Sequence, residues 1–103
     1  MAEIVWLEPA RDDLSEIIDY IALDDPDAAA AFSDRLLHHV RQLNEHPRSG
    51  SVLPEIPESH YRQIVEPPCR VFYRFDGKTV FVLHVLRFER LFRLGRLMDH
   101  DVE

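Results

Sequence analysis

The side chains of this sequence best suited to chemistry are the arginines of its second half. Residues 60–98 carry seven arginines and Lys78 against three acidic residues, whereas residues 1–59 carry four arginines against thirteen acidic residues. Arginine can bind a carboxylate or a phosphate through two parallel hydrogen bonds. The segregation predicts an anion-facing surface built by the second half, and ordinary surface charge that happens to segregate is the alternative.

The other reactive side chains form no pattern typical of an enzyme. No two of the six histidines stand four residues apart on one predicted helix, and Cys69 is the single cysteine, so neither a zinc motif nor a disulfide is predicted. Asp12, Asp13 and Glu16 are interpreted as solvated carboxylates near the start of a helix, and His84 as a partly buried, hydrogen-bonded histidine. Three glycines cannot compose a phosphate-binding loop or a nucleophile elbow. We therefore predict no metal and no cofactor.

Length and composition favour one small domain. A chain of 103 residues with 46% hydrophobic residues can build a single two-layer core. We expect this domain at residues 1–98, followed by an acidic tail at residues 99–103. No apolar stretch approaches the roughly 18 residues that a membrane span needs, and the sequence starts without a secretory signal, so we expect a cytoplasmic protein.

Apolar periodicity and turn residues predict the elements that must position the arginines. Strands are predicted at residues 4–7, 61–65, 70–75 and 79–87, and helices at 9–23 and 26–46. Pro9 and Pro26 suit the first turns of the two helices, and the short break between them predicts an antiparallel helical hairpin. Residues 47–59 are predicted to form an irregular loop, and the sequence leaves open whether residues 88–98 form a helix or an extended strap.

The Asp76-Gly77 turn predicts which arginines share a face of the sheet. A two-residue turn there would pair Phe75 with Lys78. The face that packs on the helices would carry Val71, Tyr73, Val80, Val82, His84 and Leu86. The opposite face would then gather Arg70, Arg74 and Arg87 among aromatic rings as a working surface. Together with Arg62 these arginines could converge on phosphates or on a partner's carboxylates, and separate surface ion pairs are the alternative.

Several phrases, in this order, resemble the RelE/ParE superfamily. Residues 5–14, VWLEPARDDL, resemble an apolar strand followed by an A-x-x-D-L helix start, and residues 17–22, IIDYIA, resemble the continuation I-x-x-Y-I-A. Residues 25–29, DPDAA, and 43–50, LNEHPRSG, resemble N-P-x-A-A and L-x-x-x-P-x-x-G. Tyr61-Arg62, residues 69–74 and Val85-Leu86-Arg87 resemble the later strands, so that the likeness covers about residues 3–90.

The resemblance implies an α+β fold with βααβββ order, in which an antiparallel helical hairpin packs on one face of a small, mainly antiparallel sheet. It also implies the toxin of a type II toxin–antitoxin system, neutralised by a tightly bound antitoxin encoded by a neighbouring gene. Partner-binding residues are then expected at Arg62, Arg70, Arg74, Arg87 and Arg90.

Two targets follow from the resemblance. ParE-like members inhibit DNA gyrase, whereas RelE-like members cleave mRNA on the ribosome, in which case Arg62, Arg70 and Arg87 would be the catalytic residues. We favour the ParE-like function because the chain is net acidic, the loop at residues 48–57 lacks lysine, and the superfamily's usual histidine–arginine phrase is replaced by Arg87-Phe88-Glu89-Arg90. A diverged member that binds its antitoxin without toxicity is a third possibility.

Overall fold

The computed structural model describes residues 1–101 and confirms the predicted α+β fold. The elements are β1 (Glu3–Trp6), α1 (Glu8–Asp24), α2 (Pro26–Arg41), β2 (Ser51–Val52), β3 (Arg62–Glu66), β4 (Cys69–Phe75), β5 (Thr79–Arg87) and α3 (Leu94–His100). A short 3-10 turn at Gln42–Asn44 follows α2. Among the described residues, no helix is both long and apolar enough to cross a membrane.

The helical hairpin forms for the local reasons that the sequence predicts. Pro9 lies in the first turn of α1, where a missing backbone N–H costs nothing. Asp25 is the only residue between the helices, and its carboxylate accepts a 3.1 Å hydrogen bond from the Ala28 backbone N–H. This bond caps α2 at its N-terminus. So short a connection forces α1 and α2 to run antiparallel.

The sheet has the strand order β1-β5-β4-β3-β2. Strand β1 runs parallel to β5, and the other neighbouring strands are antiparallel. The short strand β2 lies inside the segment predicted as an irregular loop and pairs with the start of β3. Because β1 pairs only with the first part of β5, at Thr79–Val82, the later half of β5 extends beyond this neighbour.

The predicted register of the β4–β5 hairpin is wrong. Phe75 pairs with Val80, not with Lys78. The Asp76 carboxylate accepts hydrogen bonds from the backbone N–H groups of Lys78 and Thr79, at 2.9 and 2.7 Å. The turn is therefore centred one residue later than predicted, with Gly77 in the left-handed region at a φ of 96°.

A register shift further along this hairpin exchanges the faces of the residues beyond it. Tyr73 pairs with Val82, but Phe72 pairs with His84, so that β5 holds one extra residue at this β-bulge. Val85 consequently belongs to the core beneath the helices, whereas Leu86 packs on the opposite face. His84 and Leu86 had been predicted on the helical face, and the bulge is the physical reason for the error.

Both faces of the sheet are covered. The helices cover one face through a core that includes the fully buried Phe32, Leu36 and Val71. A second core, around Phe72 and Leu83, covers the other face. Its covering residues are Leu53 and Ile56 from the loop before β3, and Phe92 and Leu97 from the C-terminal segment. Most of the sheet face that was predicted to be the working surface is therefore buried inside the protein.

Residues 88–98, which the sequence left open, turn back along the second face and enter α3. The proposed boundary between residues 98 and 99 falls inside this helix. Asp101 accepts a hydrogen bond from the Tyr61 hydroxyl, at 3.1 Å, and so contacts the sheet. Residues 102 and 103 of the acidic tail lie outside the described part of the chain.

Candidate functional site: an arginine-lined groove

A groove of about 560 Å³ lies where β5 extends beyond β1. Its walls are the middle of α1 on one side and the segment after β5 on the other. The lining residues are Asp13, Glu16, Ile17, Tyr20, His84, Val85, Leu86, Arg87, Arg90, Leu91, Arg93 and Arg96. We call it the arginine groove, because four of these residues are arginines and they stand at every third position from 87 to 96.

Arg87 forms the fixed part of this groove. Its guanidinium lies 4.2 Å from the centre of the Tyr20 ring on α1, a cation–π contact. It also lies 3.5 Å from the Glu89 carboxylate, and only 12% of the side chain is exposed. The bulge in β5 is what turns Arg87 toward α1 and away from Arg70 and Arg74.

The remaining three arginines of the groove are exposed. Within residues 1–101, no carboxylate lies within 4.0 Å of the guanidinium groups of Arg90, Arg93 or Arg96. Leu91, which is 71% exposed, and Tyr20 add apolar surface to the same groove. The groove can therefore bind an anionic group that also presents an apolar side chain.

Arg70 lies on the second face and is held by the protein's own residues. Its guanidinium donates two 2.8 Å hydrogen bonds to the Glu55 carboxylate, and its Nε donates a 2.7 Å bond to the Gln63 side chain. It also stacks over the ring of Phe72. The Arg70 guanidinium, which is the largest influence, lowers the pKa of Glu55 below its usual range.

Arg74 and Arg62 are also bonded internally. Arg74 donates a 2.7 Å hydrogen bond to Asp101 and covers the Phe81 ring. Arg62 stands opposite Tyr73 in the β3–β4 ladder and donates a 2.8 Å bond to the Gly50 carbonyl. These bonds fasten Asp101, the residue after α3, and the loop after α2 to the sheet.

The structure thus brings Arg87 and Arg90 together but separates them from the other predicted site residues. Arg70 and Arg74 share the second face, Arg62 lies beside the loop after α2, and Arg87 lies against α1. The expected convergence of Arg62, Arg70, Arg74 and Arg87 on one surface is wrong. The bulge in β5 and the segments that cover the second face are the reasons.

Sequence reasoning missed Arg93 and Arg96 as members of the site. The sequence did contain a pattern that could have identified them, because the arginines at 87, 90, 93 and 96 are spaced three residues apart. It also missed a polar cluster at the groove floor. Asp13 accepts hydrogen bonds from the His84 ring Nδ1 and from the Val85 backbone N–H, the latter at 3.1 Å.

His100 completes this cluster from α3. Its ring Nδ1 donates a 3.2 Å hydrogen bond to the Leu83 carbonyl and lies 3.9 Å from the Asp13 carboxylate. Burial, followed by the nearby His84, lowers the pKa of His100 below its usual value. A neutral imidazole that donates through Nδ1 keeps a lone pair on Nε2.

Cys69 offers no nucleophile. The thiol is fully buried in the core beneath the helices. This burial raises the pKa of Cys69 to about 11, so the reactive thiolate is scarce near neutral pH.

A helical hairpin packed on a mainly antiparallel sheet is the fold that the resemblance to the RelE/ParE superfamily implies. A family model described as the ParE toxin of the type II toxin–antitoxin system parDE matches residues 4–92. The chain therefore belongs to the ParE toxin family.

A solved structure gives the same result. A chain described as part of the chromosomal ParDE toxin–antitoxin system from P. aeruginosa is 27% identical, with a TM-score of 0.71. The match covers 86% of this chain and 98% of the solved one. A search of curated proteins finds no match.

Proposed function

We propose that this ParE-like toxin inhibits DNA gyrase by binding it, without chemistry of its own, and that a cognate antitoxin neutralises it. The cytoplasm is the proposed location, because both proposed partners act there. The arginine groove is the observation on which the proposal chiefly depends.

The groove supports binding of an acidic protein segment. Arg90, Arg93 and Arg96 form no ion pair with a carboxylate within residues 1–101. Their guanidinium groups lie in the same groove as the exposed Leu91. A combination of apolar surface and arginine donors is typical of protein interfaces. The similar P. aeruginosa chain comes from a ParDE system, which supports an antitoxin as one occupant.

A second hollow supports an antitoxin that wraps around the toxin. It measures about 530 Å³ and is lined by Trp6, Arg11, Leu14, Ser15, Ile18 and Leu37. Most of these side chains are apolar, and α1 separates this hollow from the arginine groove. An amphipathic helix could bury its apolar face there while an acidic segment lies in the groove.

The internal bonds of Arg62 and Arg70 favour a binding toxin over the ribonuclease. Cleavage of mRNA would require Arg62, Arg70 and Arg87 to stabilise one phosphate transition state. Arg62 is instead bonded to Gly50, Arg70 to Glu55, and Arg87 stacks on Tyr20. Recruiting all three would break contacts that hold separate parts of the fold.

The decisive experiment compares two assays of the purified full chain. We expect inhibition of DNA supercoiling by gyrase, and no codon-phased mRNA cuts in a cell-free translation reaction. The Arg62→Ala/Arg70→Ala double variant should inhibit gyrase in proportion to its folded fraction, measured by circular dichroism. Ribosome-dependent cuts by the wild-type chain, with gyrase unaffected, would contradict the proposal.

A further inference from the structure

The Asp13–His84–His100 cluster joins three elements that are far apart in the sequence. Asp13 comes from α1, His84 from β5 and His100 from α3. One ligand atom from each residue lies within 4.8 Å of the other two. The side chains are 17%, 9% and 14% exposed, respectively, so the cluster is nearly enclosed by protein.

We propose that this cluster binds a divalent transition-metal ion, with Zn²⁺ as the preferred occupant. Two imidazoles and one carboxylate are a donor set that suits zinc and its neighbours in the first transition row. Around an ion with bonds of about 2.1 Å, tetrahedral ligand atoms lie roughly 3.4 Å apart. The three donors therefore need only small side-chain rotations to surround an ion.

The surroundings of the cluster support coordination. The Val85 backbone N–H donates a hydrogen bond to the Asp13 carboxylate, and a hydrogen bond of this kind orients a carboxylate that binds a metal. Phe72 stacks on the His84 ring with centroids 5.5 Å apart and planes 16° from parallel. The two histidine rings are perpendicular at 4.6 Å, which places His100 against His84 without parallel stacking.

The groove supplies the remaining coordination position. Asp13 and His84 both line the arginine groove, so that water or an anionic group could reach the ion from that side. The bound ion would replace the hydrogen bonds from His84 to Asp13 and from His100 to Leu83. It would also tie α3 to α1 and β5. The arginines of the groove repel any cation, so only an ion that binds the two imidazoles strongly should be held. The imidazole donors themselves favour Zn²⁺ and its neighbours over Mg²⁺ and Ca²⁺.

Calorimetric titration of the untagged full chain with Zn²⁺ tests this site directly. We expect one equivalent bound, and a Tm raised by about 10 °C when free Zn²⁺ is a hundred times the Kd. Asp13→Asn and His100→Ala should each weaken binding by about 100-fold or more, which exceeds the roughly 10- to 100-fold cost of losing a residue that only hydrogen-bonds to a metal ligand. His46→Ala and His60→Ala, which change exposed histidines, are the matched controls and should leave binding unchanged.

A measurement on the wild-type chain covers the case in which a variant fails to fold. With ¹⁵N-labelled histidine, Zn²⁺ should shift the ring nitrogens of His84 and His100 and leave those of the exposed histidines in place. A chain that binds no Zn²⁺ would overturn the proposal. So would shifts confined to exposed histidines, or a folded His100→Ala variant with undiminished affinity. The result is independent of whether gyrase is the target, because every readout is metal binding.

Discussion

Two groups of arginines in this ParE-like toxin differ in whether the fold places a carboxylate beside them. Arg70 and Arg74 receive carboxylates from distant parts of the same chain, Glu55 and Asp101. Arg90, Arg93 and Arg96 are exposed around a groove. The same side chain therefore acts as an internal fastener in one place and as an available binding group in the other. Charge counted along the sequence does not distinguish these two uses.

The strongest test of this comparison reverses the charge of the groove. The triple variant Arg90→Glu/Arg93→Glu/Arg96→Glu should weaken antitoxin binding by about 1000-fold, since each reversal replaces attraction by repulsion at an interface. Its free energy of unfolding should change by less than about 1 kcal/mol. The measurements are calorimetric affinity and urea unfolding, and Arg41→Glu on the exposed side of α2 is the control. Unaltered affinity would place the antitoxin elsewhere.

A second test addresses the loop that Arg62 fastens. A Cβ on Gly50 would lie 2.6 Å from the Gln63 carbonyl oxygen and 2.6 Å from the Tyr73 hydroxyl. Gly50→Ala should therefore lower the free energy of unfolding by about 3 kcal/mol through overpacking. Gly95→Ala is the matched control, because a Cβ there meets nothing within 4 Å. Equal stability of the two variants would show that this loop adjusts freely.

A third test compares one arginine from each group. Arg70→Ala removes a bidentate ion pair, a bond to Gln63 and a stacking contact. Because Glu55 is one-third exposed, we expect a loss of about 2 kcal/mol, less than a fully buried pair would give. Arg90→Ala should stay within about 0.5 kcal/mol of the wild type. Similar losses in urea unfolding would remove the distinction between fasteners and groove arginines.

The smallest expected effect is on how the free energy of unfolding depends on pH in the acid range. The pKa of Glu55 is lowered by Arg70 in the folded protein, so the folded state favours the carboxylate more than the unfolded state does. This stabilisation is present above the usual value of 4.5 and is lost as the pH falls through the lowered pKa. Glu55→Gln should therefore flatten the dependence of stability on pH below about 4.5. An unchanged slope in urea titrations between neutral and acid pH would contradict the contribution of this pair.

The predicted helices illustrate what local pattern can establish. The apolar spacing of α1 and α2 and the Asp25-Pro26 start were predicted, and the hairpin is confirmed. The exception is the end of α2, which stops at Arg41 and continues only as a 3-10 turn. Helix formation depends on neighbours three and four residues away, so a short stretch of sequence contains the necessary information.

The candidate site was only partly predictable, because strand register depends on contacts outside the hairpin. The Asp76-Gly77 pair indicated a turn, but the bulge between the Phe72–His84 and Tyr73–Val82 pairs is not visible in the alternation of residue types. Asp13, from α1, accepts hydrogen bonds from His84 and Val85 at this bulge. One inserted residue sent Arg87 to the opposite face from Arg70.

By itself the sequence determined the α+β order, the helical hairpin, the ParE-like family and the concentration of arginine in the second half. Only the tertiary structure decided which arginines are bonded internally, which line the groove, and that Asp13, His84 and His100 meet. The physical reason is the separation of the partners. Arg74 and Asp101 lie 27 residues apart, and Asp13 and His84 lie 71 apart, so no local pattern records that these groups contact one another.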